Sequence, residues 1–185
     1  AIDGLFSRLV ADSRKPEYYN DYEPVADYLR TIPETAGLPR AERDLLEDVF
    51  AYHEVGTVSE HHANTLHGLK KTHPLGLISN VWARSPVFEA ELRRAGVVGL
   101  FDVLVWSSDH GCIKPSHRLF QQAITHFDLP AEQMVYVGDN PARDVAGAKG
   151  VGMSAVWING AGQQLDPEVP APDLIVTDLS ELLTA

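Results

Sequence analysis

The second part of the chain alternates short apolar runs with amphipathic helical segments. Each run is three to five residues long, and a polar residue follows within two positions of its end. Continuous apolar runs of this kind are typical of parallel strands buried on both faces, and the helical segments between them supply the crossovers. The runs lie at residues 75–78, 103–106, 134–137, 154–158 and 174–176.

The helical segments carry start and stop signals. After the first run, Ser85 is placed to cap a helix, Pro86 suits the first turn, and Gly96 suits the end. After the second run, Ser116 is a similar cap before an apolar helical stripe. This order predicts an α/β fold with a doubly wound parallel sheet over residues 74–185.

The first part of the chain has a different pattern. Residues 5–72 are rich in helix formers and contain no convincing strand, and Leu45, Leu46, Val49 and Phe50 are spaced as one helical face. We therefore predict that residues 1–73 form a separate helical region in front of the α/β core.

Charge and cysteine content narrow the function classes. The formal net charge of −11 repels the phosphates of nucleic acids and anionic lipids, so we expect neither nucleic acid nor a membrane as a partner. Cys112 is the only cysteine, which excludes an internal disulfide and makes a reducing cytoplasm the expected location. No apolar run reaches the roughly 18 residues of a membrane span.

Polar side chains follow the first three runs, where the carboxyl ends of parallel strands meet and ligands bind. Ser79 and Asn80 follow the first run, Lys114 lies after the second, and Asp139 follows the third. A hydroxyl donor, a cation and a carboxylate suit an oxyanion ligand together with a divalent metal ion. Asp144, five residues beyond Asp139, can ligate the same metal or orient a water bound to it. Carboxylates with few other ligands favour Mg²⁺.

Each of these side chains also has an ordinary structural explanation. Ser79 and Asp144 can cap helices, Lys114 can be a solvated surface residue, and Asp139 can be a turn residue. The combined spacing at successive strand ends favours the functional interpretation.

Other reactive side chains are interpreted as structural. His61, His62 and His67 lie on a polar helical stretch, and we interpret them as a solvated face without a metal. The tyrosines of residues 18–22 pack more often than they line a pocket. Cys112 has no histidine or second cysteine placed to activate it, so we interpret it as inert.

Together the strand-end motifs resemble a known family. Leu77-Ile78-Ser79-Asn80 is similar to the second motif of the haloacid dehalogenase superfamily, Ile113-Lys114-Pro115 to the third, and the segment from Val137 to Asp144 to the fourth. The resemblance runs through about residues 75–178. It implies a Mg²⁺-dependent phosphatase that acts on a small phosphorylated metabolite, with the helical first part as an N-terminal cap.

The resemblance also implies roles for the residues. Ser79, with Asn80 in the same motif, would bind the transferring phosphoryl group, and Lys114 would neutralise that group and the nucleophile. Asp139 and Asp144 would place Mg²⁺, and the reaction would pass through an aspartyl-phosphate intermediate. We expect replacement of Lys114 to impair catalysis by several kcal/mol with little effect on stability.

This sequence departs from the first motif of the family. That motif supplies the nucleophile as Asp-x-Asp directly after a strand, and no Asp-x-Asp occurs in these 185 residues. Ala1-Ile2-Asp3-Gly4 can be overlaid on it only with alanine at the place of the nucleophile. We expect the natural protein to begin before Ala1 with a strand that carries the motif and lies in the middle of the sheet. Without that strand the sheet should be split between the strands that end at Ser79 and Gly138.

Two other functions fit parts of the pattern. A 2-haloacid dehalogenase shares the fold, the nucleophile and the Ser79 and Lys114 motifs, but it needs no metal and lacks the Gly-Asp signature at Gly138-Asp139. A catalytically inactive relative that binds a ligand or partner in the same cleft is supported by the missing nucleophile.

Overall fold

The apolar runs form parallel strands. The structure is a computed structural model and describes residues 2–184, apart from the side chains of Ile2, Asp3 and Leu5. Every observed strand lies within one residue of a predicted run, which confirms the α/β class. The strands are β1 (Gly76–Ser79), β2 (Val103–Trp106), β3 (Val135–Gly138), β4 (Ser154–Ile158) and β5 (Leu174–Val176).

The strands of the described residues form two sheets. In the first sheet β1 pairs with β2, and Ile78 lies opposite Val105. In the second, β4 lies between β3 and β5. No backbone ladder of the described residues joins β1 to β3, and the two sheets are instead linked by a side chain: the Tyr136 hydroxyl donates to the Ile78 carbonyl at 3.0 Å. The split in the sheet that the sequence predicts is therefore observed.

Helices surround the two sheets and make up most of the first part of the chain. The first part contains α1 (Ile2–Asp12), α2 (Val25–Thr31), α3 (Pro33–Ala36), α4 (Arg40–Glu54) and α5 (Glu60–Leu69). The second part contains α6 (Ser85–Arg94), α7 (Ser107–His110), α8 (His117–Phe127) and α9 (Ala146–Gly150). Shorter helical turns lie at Pro16–Tyr18, Val98–Leu100, Ala131–Gln133, Pro141–Val145 and Leu179–Leu183. Among the described residues, no helix combines the length and apolar character that crossing a bilayer requires.

The start and stop signals have different outcomes. The prediction that Ser85 caps α6 is wrong, because Ser85 is the first helical residue and its hydroxyl donates to the Asp109 carboxylate at 3.0 Å. Gly96 follows the end of α6 with a φ of 72°, as expected for a helix stop. Ser116 does cap α8, since its hydroxyl oxygen accepts from the backbone N–H of Arg118.

Two apolar clusters hold the helices on the strands. The first joins the helical first part to α6 and β2, and its buried members include Leu9, Val25, Phe50, Phe88 and Trp106. The second lies between α8, α9 and the strands, and its buried members include Leu119, Phe120, Val145 and Trp157. Because the first cluster contains residues from both parts, the helical region packs directly on the core. The boundary at residue 73 stays a prediction.

The overlay of Ala1-Ile2-Asp3-Gly4 on the nucleophile motif falls partly outside the described residues, which exclude Ala1 and the side chain of Asp3. The backbone from Ile2 to Asp12 is helical. The motif of the family follows a strand, so this helical segment does not match it.

Candidate active site

Lys114 lies at the centre of the predicted site. Its side chain is only 12% exposed. Its ammonium donates to Oδ1 of Asp144 at 2.7 Å and to the hydroxyl of Tyr136 at 2.9 Å. The structure thus brings together two of the predicted residues, Lys114 and Asp144, as a largely buried ion pair rather than a solvated lysine beside a helix cap.

Asn80 fixes the backbone of Lys114. Its side-chain oxygen accepts from the Lys114 N–H at 2.8 Å, and its amide nitrogen donates to the Lys114 carbonyl at 3.4 Å. An amide side chain can do this because it carries a donor and an acceptor on one group. Asn80 therefore ties the loop after β1 to the loop after β2, which places the lysine at the carboxyl edge of the strands.

Asp144 is held from a second side. It is 2% exposed, and its Oδ2 accepts from the backbone N–H of Asn140 at 2.9 Å. The carboxylate lies so close to Gly138 at the end of β3 that a Cβ there would come within 2.3 Å of Oδ2. Glycine at 138 is therefore required by the close approach of Asp144. This explains the glycine of the Gly138-Asp139 sequence.

Asp139 differs from Asp144 in its surroundings. It is exposed and lines a cavity of about 310 Å³ at the carboxyl ends of β3, β4 and β5. Its backbone carbonyl accepts from the indole N–H of Trp157 at 3.1 Å, which anchors the turn after β3. The other cavity residues include His62, Asn159, Thr177 and Asp178.

Ser79 ends β1 and is half-buried. The loop that follows it is held by carboxylates of α4. Glu54 accepts from the backbone N–H groups of Trp82 and Ala83 at 2.7 and 2.9 Å, and Glu47 accepts from that of Arg84 at 3.1 Å. The helical first part thus fixes the course of the loop that leaves the active edge.

Electrostatics fix the protonation of Lys114 and Tyr136 at neutral pH. Burial alone would lower the pKa of Lys114, but Tyr136 and the Asp144 carboxylate outweigh burial and raise it above its ordinary range. Burial raises the pKa of Tyr136 to about 12, against the opposing charge of Lys114. Lys114 is therefore a fixed cation beside a neutral hydroxyl.

Sequence reasoning missed two residues of this site. Tyr136 lay within a predicted apolar strand, although a tyrosine in such a run often brings its hydroxyl to a polar partner. Glu54 carried no signal, because the N–H groups that it binds are 28 and 29 residues away in the chain.

Comparison with known proteins assigns the family. A sequence model for the family described as Haloacid dehalogenase-like hydrolase matches residues 27–158, more than half of the chain. The protein belongs to this family of hydrolases.

Individual relatives include phosphatases and dehalogenases. A phosphoserine phosphatase from Thermus thermophilus is 32% identical over 160 residues, which cover 85% of this chain and 63% of that protein. The chain thus spans less than two thirds of the length of that relative. The crystal structure of a 2-haloacid dehalogenase from Pseudomonas syringae matches with a TM-score of 0.69 at 29% identity. The match covers 98% of this chain and 77% of the dehalogenase chain.

A third similarity concerns the fold alone. The HAD-hydrolase YfnB from Bacillus subtilis, whose structure is bound to magnesium, has a TM-score of 0.64 at 20% identity. The match covers 97% of this chain and 88% of YfnB. It supports the arrangement of helices and parallel strands described above.

Proposed function

We propose that the protein is a Mg²⁺-dependent phosphatase that acts on a small phosphorylated metabolite. The observation that carries this proposal is the geometry of Lys114, a cation held by the buried Asp144 carboxylate and tied to the loop after β1 by Asn80. A preorganised cation stabilises the charge that develops on a transferring phosphoryl group, because it needs no reorganisation during the reaction. The similarity to phosphoserine phosphatase supports the same chemistry.

The residues of the site divide the work. Lys114 neutralises phosphoryl oxygens, Ser79 donates a hydrogen bond to them, and Asn80 keeps the lysine backbone in place. Tyr136 holds the ammonium from the other side. Two observations support these roles: Ser79 and Asn80 lie at the carboxyl end of β1, and Asn80 hydrogen-bonds the Lys114 backbone.

The carboxylates fit a Mg²⁺ site unequally. Asp139 is exposed and is one of the residues that line the cavity, which suits an ion that keeps several waters. Both oxygens of Asp144 already accept hydrogen bonds, from Lys114 and from Asn140. Asp144 therefore fits best as a ligand through its remaining lone pairs or as the group that orients a metal-bound water. When bound, Mg²⁺ supplies further positive charge at the phosphoryl oxygens.

The nucleophile belongs, in this proposal, to an Asp-x-Asp strand that pairs between β1 and β3. The support is the division of the described strands into two sheets that are bridged by the Tyr136 side chain. The aspartate oxygen would form a bond to phosphorus while the bond to the leaving alkoxide breaks and the alkoxide takes up a proton. Water would then attack phosphorus, release inorganic phosphate and regenerate the carboxylate.

A second candidate is a 2-haloacid dehalogenase, and the structural similarity at 29% identity favours it. Here the aspartate would displace halide from carbon, and Lys114 would face the substrate carboxylate. The two candidates differ in their need for a metal at Asp139.

One assay separates the two candidates. The full natural chain is tested for hydrolysis of para-nitrophenyl phosphate and for halide release from 2-chloropropionate, each with Mg²⁺ and with excess chelator. We expect phosphate release that requires Mg²⁺ and falls by at least roughly a hundredfold in Asp139→Asn. Asp166→Asn changes an exposed aspartate that does not line the cavity. It is the matched control and should behave as the parent. Halide release in the presence of chelator would contradict the phosphatase proposal and support the dehalogenase.

A trapping experiment tests the position of the nucleophile. The enzyme is quenched during turnover and reduced with borohydride, which converts a phosphorylated aspartate to homoserine, and the labelled peptide is located by mass spectrometry. A label at an aspartate within residues 1–185 would rule out the proposed additional strand.

A further inference from the structure

Three side chains to which the proposed reaction gives no role meet at the surface, and two of them line the cavity beside Asp139. His61 and His62 lie in the first turn of α5, and Asp178 follows β5. The Nε2 of His61 lies 2.7 Å from Oδ1 of Asp178, and the Nε2 of His62 lies 4.0 Å from Oδ2. One donor atom from each of the three residues lies within 4.8 Å of the other two. The interpretation of these histidines as an uninvolved solvated face therefore misses a convergence on one carboxylate.

Local hydrogen bonds orient these groups. Ser59 caps α5 by accepting from the backbone N–H of His62, and its hydroxyl lies 3.2 Å from Nδ1 of the same residue. A partner at Nδ1 leaves Nε2 directed to Asp178. On the other side, Oδ1 of Asp178 accepts from the backbone N–H of Ser180 at 2.9 Å, which fixes the carboxylate at the start of the Leu179–Leu183 turn.

We propose that His61, His62 and Asp178 form a binding site for a divalent transition-metal ion of the Zn²⁺ type. Two imidazole nitrogens and one carboxylate oxygen are a ligand set that Zn²⁺ accepts, whereas Mg²⁺ prefers oxygen alone. The site is distinct from the proposed Mg²⁺ site, which uses Asp139 and Asp144. It joins α5, the helix that leads into β1, to the turn after β5, so metal binding connects the two separate sheets.

The site also borders the cavity beside Asp139. His62 and Asp178 both line that cavity of about 310 Å³. With three protein ligands, a tetrahedral ion keeps one position for water or for an anionic group. An ion at this wall is therefore able to contribute to ligand binding in the cavity as well as to the connection between α5 and the last strand.

The test is direct metal titration of the natural chain, produced without a polyhistidine tag. Zn²⁺ binding is measured by calorimetry, and Co²⁺ binding by its visible absorption, which reports the coordination geometry. Cys112 is fully buried, so a cobalt spectrum free of thiolate bands is expected. In a titration with excess Mg²⁺, which is expected to fill the oxygen-ligand site, we expect one Zn²⁺ per chain that Mg²⁺ does not displace.

Variants decide whether these residues are the ligands. His61→Ala, His62→Ala and Asp178→Asn should each weaken Zn²⁺ binding roughly tenfold or more. Asn at 178 keeps an acceptor for the Ser180 N–H, so the fold is retained, and circular dichroism checks this. His67→Ala, which removes an exposed histidine of the same helix, is the matched control. Unchanged Zn²⁺ affinity in the three variants, or no binding by the parent, would overturn the proposal and leave a hydrogen-bonded surface cluster. Metal titration and circular dichroism do not require phosphatase activity. The outcome of this test is therefore independent of the proposed function.

Discussion

The ammonium of Lys114 lies 2.7 Å from Oδ1 of Asp144, and these side chains are 12% and 3% exposed. A buried pair of this kind is costly to break from one side only, because the remaining charge loses its partner but stays out of water. From this geometry we expect the pair to contribute to stability, whereas the sequence alone predicts that replacing Lys114 leaves stability almost unchanged.

Lys114→Met should lower the free energy of unfolding by about 3–5 kcal/mol, since it leaves Asp144 as an uncompensated buried charge. Urea denaturation measures this loss. The double variant Lys114→Met/Asp144→Asn should lose less than the sum of its single changes, because the two side chains contact each other. Lys71→Met at an exposed position is the control. Additive losses in the double variant would contradict a direct pair.

The pH dependence of this pair follows from the raised pKa of Lys114. A lysine whose pKa is higher in the folded than in the unfolded state contributes its full stabilisation below the unfolded value of about 10.4 and loses it as pH rises through the folded value. The difference in stability between the parent and Lys114→Met should therefore not shrink as pH rises from about 6 to 9, and should shrink as pH rises above about 10. A difference that shrinks as pH rises from about 6 to 9 would be inconsistent with this assignment.

Gly138→Ala should destabilise the protein by about 1–3 kcal/mol, because the added Cβ would approach Oδ2 of Asp144 to 2.3 Å. The carboxylate has to move, so the variant should also weaken the proposed metal site. Gly99→Ala is the matched control, since a Cβ there would meet nothing within 4 Å. Equal unfolding midpoints for the two variants would show that Asp144 moves aside without cost.

Tyr136→Phe should cost about 1–3 kcal/mol, because it removes the hydroxyl that accepts from Lys114 and donates to the Ile78 carbonyl. Thermal or urea unfolding measures the change. Tyr52→Phe removes the hydroxyl of a tyrosine that is 77% exposed and should be nearly neutral. If both variants unfold alike, the bridge between the sheets contributes no stability.

Glu54→Gln tests the clamp on the loop after β1. Burial raises the pKa of Glu54 above its ordinary value, against the effect of its two backbone hydrogen bonds. A carboxyl group with a raised folded pKa contributes most stability below the unfolded value of about 4.3 and loses it as pH rises through the folded value. The stability of the parent relative to Glu54→Gln should therefore fall as pH rises from about 4 toward 7. Glu42→Gln, at an exposed position of the same helix, is the control and should show no such trend. If the stability of the parent relative to Glu54→Gln increased with pH, the pKa of Glu54 would not be raised by folding.

Local patterns in the sequence were sufficient for the strands and for several helix ends. The runs at 103–106, 154–158 and 174–176 match β2, β4 and β5 residue for residue. Apolar content and length mark such segments in the sequence. This holds even for β5, where Leu174 and Ile175 remain exposed. The helix end at Gly96 and the helix start at Ser116 were also predictable, because each residue acts on backbone groups only a few residues away.

The positions of the candidate site residues along the chain were predictable, but their partners were not. The sequence places Ser79, Lys114 and Asp139 at strand ends, and the general rule for parallel sheets brings such ends to one edge. That Lys114 pairs with Asp144 and Tyr136, rather than pointing to solvent, depends on how the loops after β2 and β3 approach each other. The partner of Ser85 was equally unpredictable, because its hydroxyl donates to Asp109, 24 residues away, instead of capping its own helix.

The sequence by itself determined the family motifs, the order of strands and helices, and the absence of an Asp-x-Asp within these residues. Only the tertiary structure decided that Tyr136 bridges two sheets, that Glu54 holds a loop from the helical region, and that His61 meets Asp178 across 117 residues of chain. The physical reason is range: apolar periodicity and backbone caps act between neighbours in sequence. Hydrogen bonds and ion pairs between distant residues exist only after the layers have packed and fixed which side chains face each other.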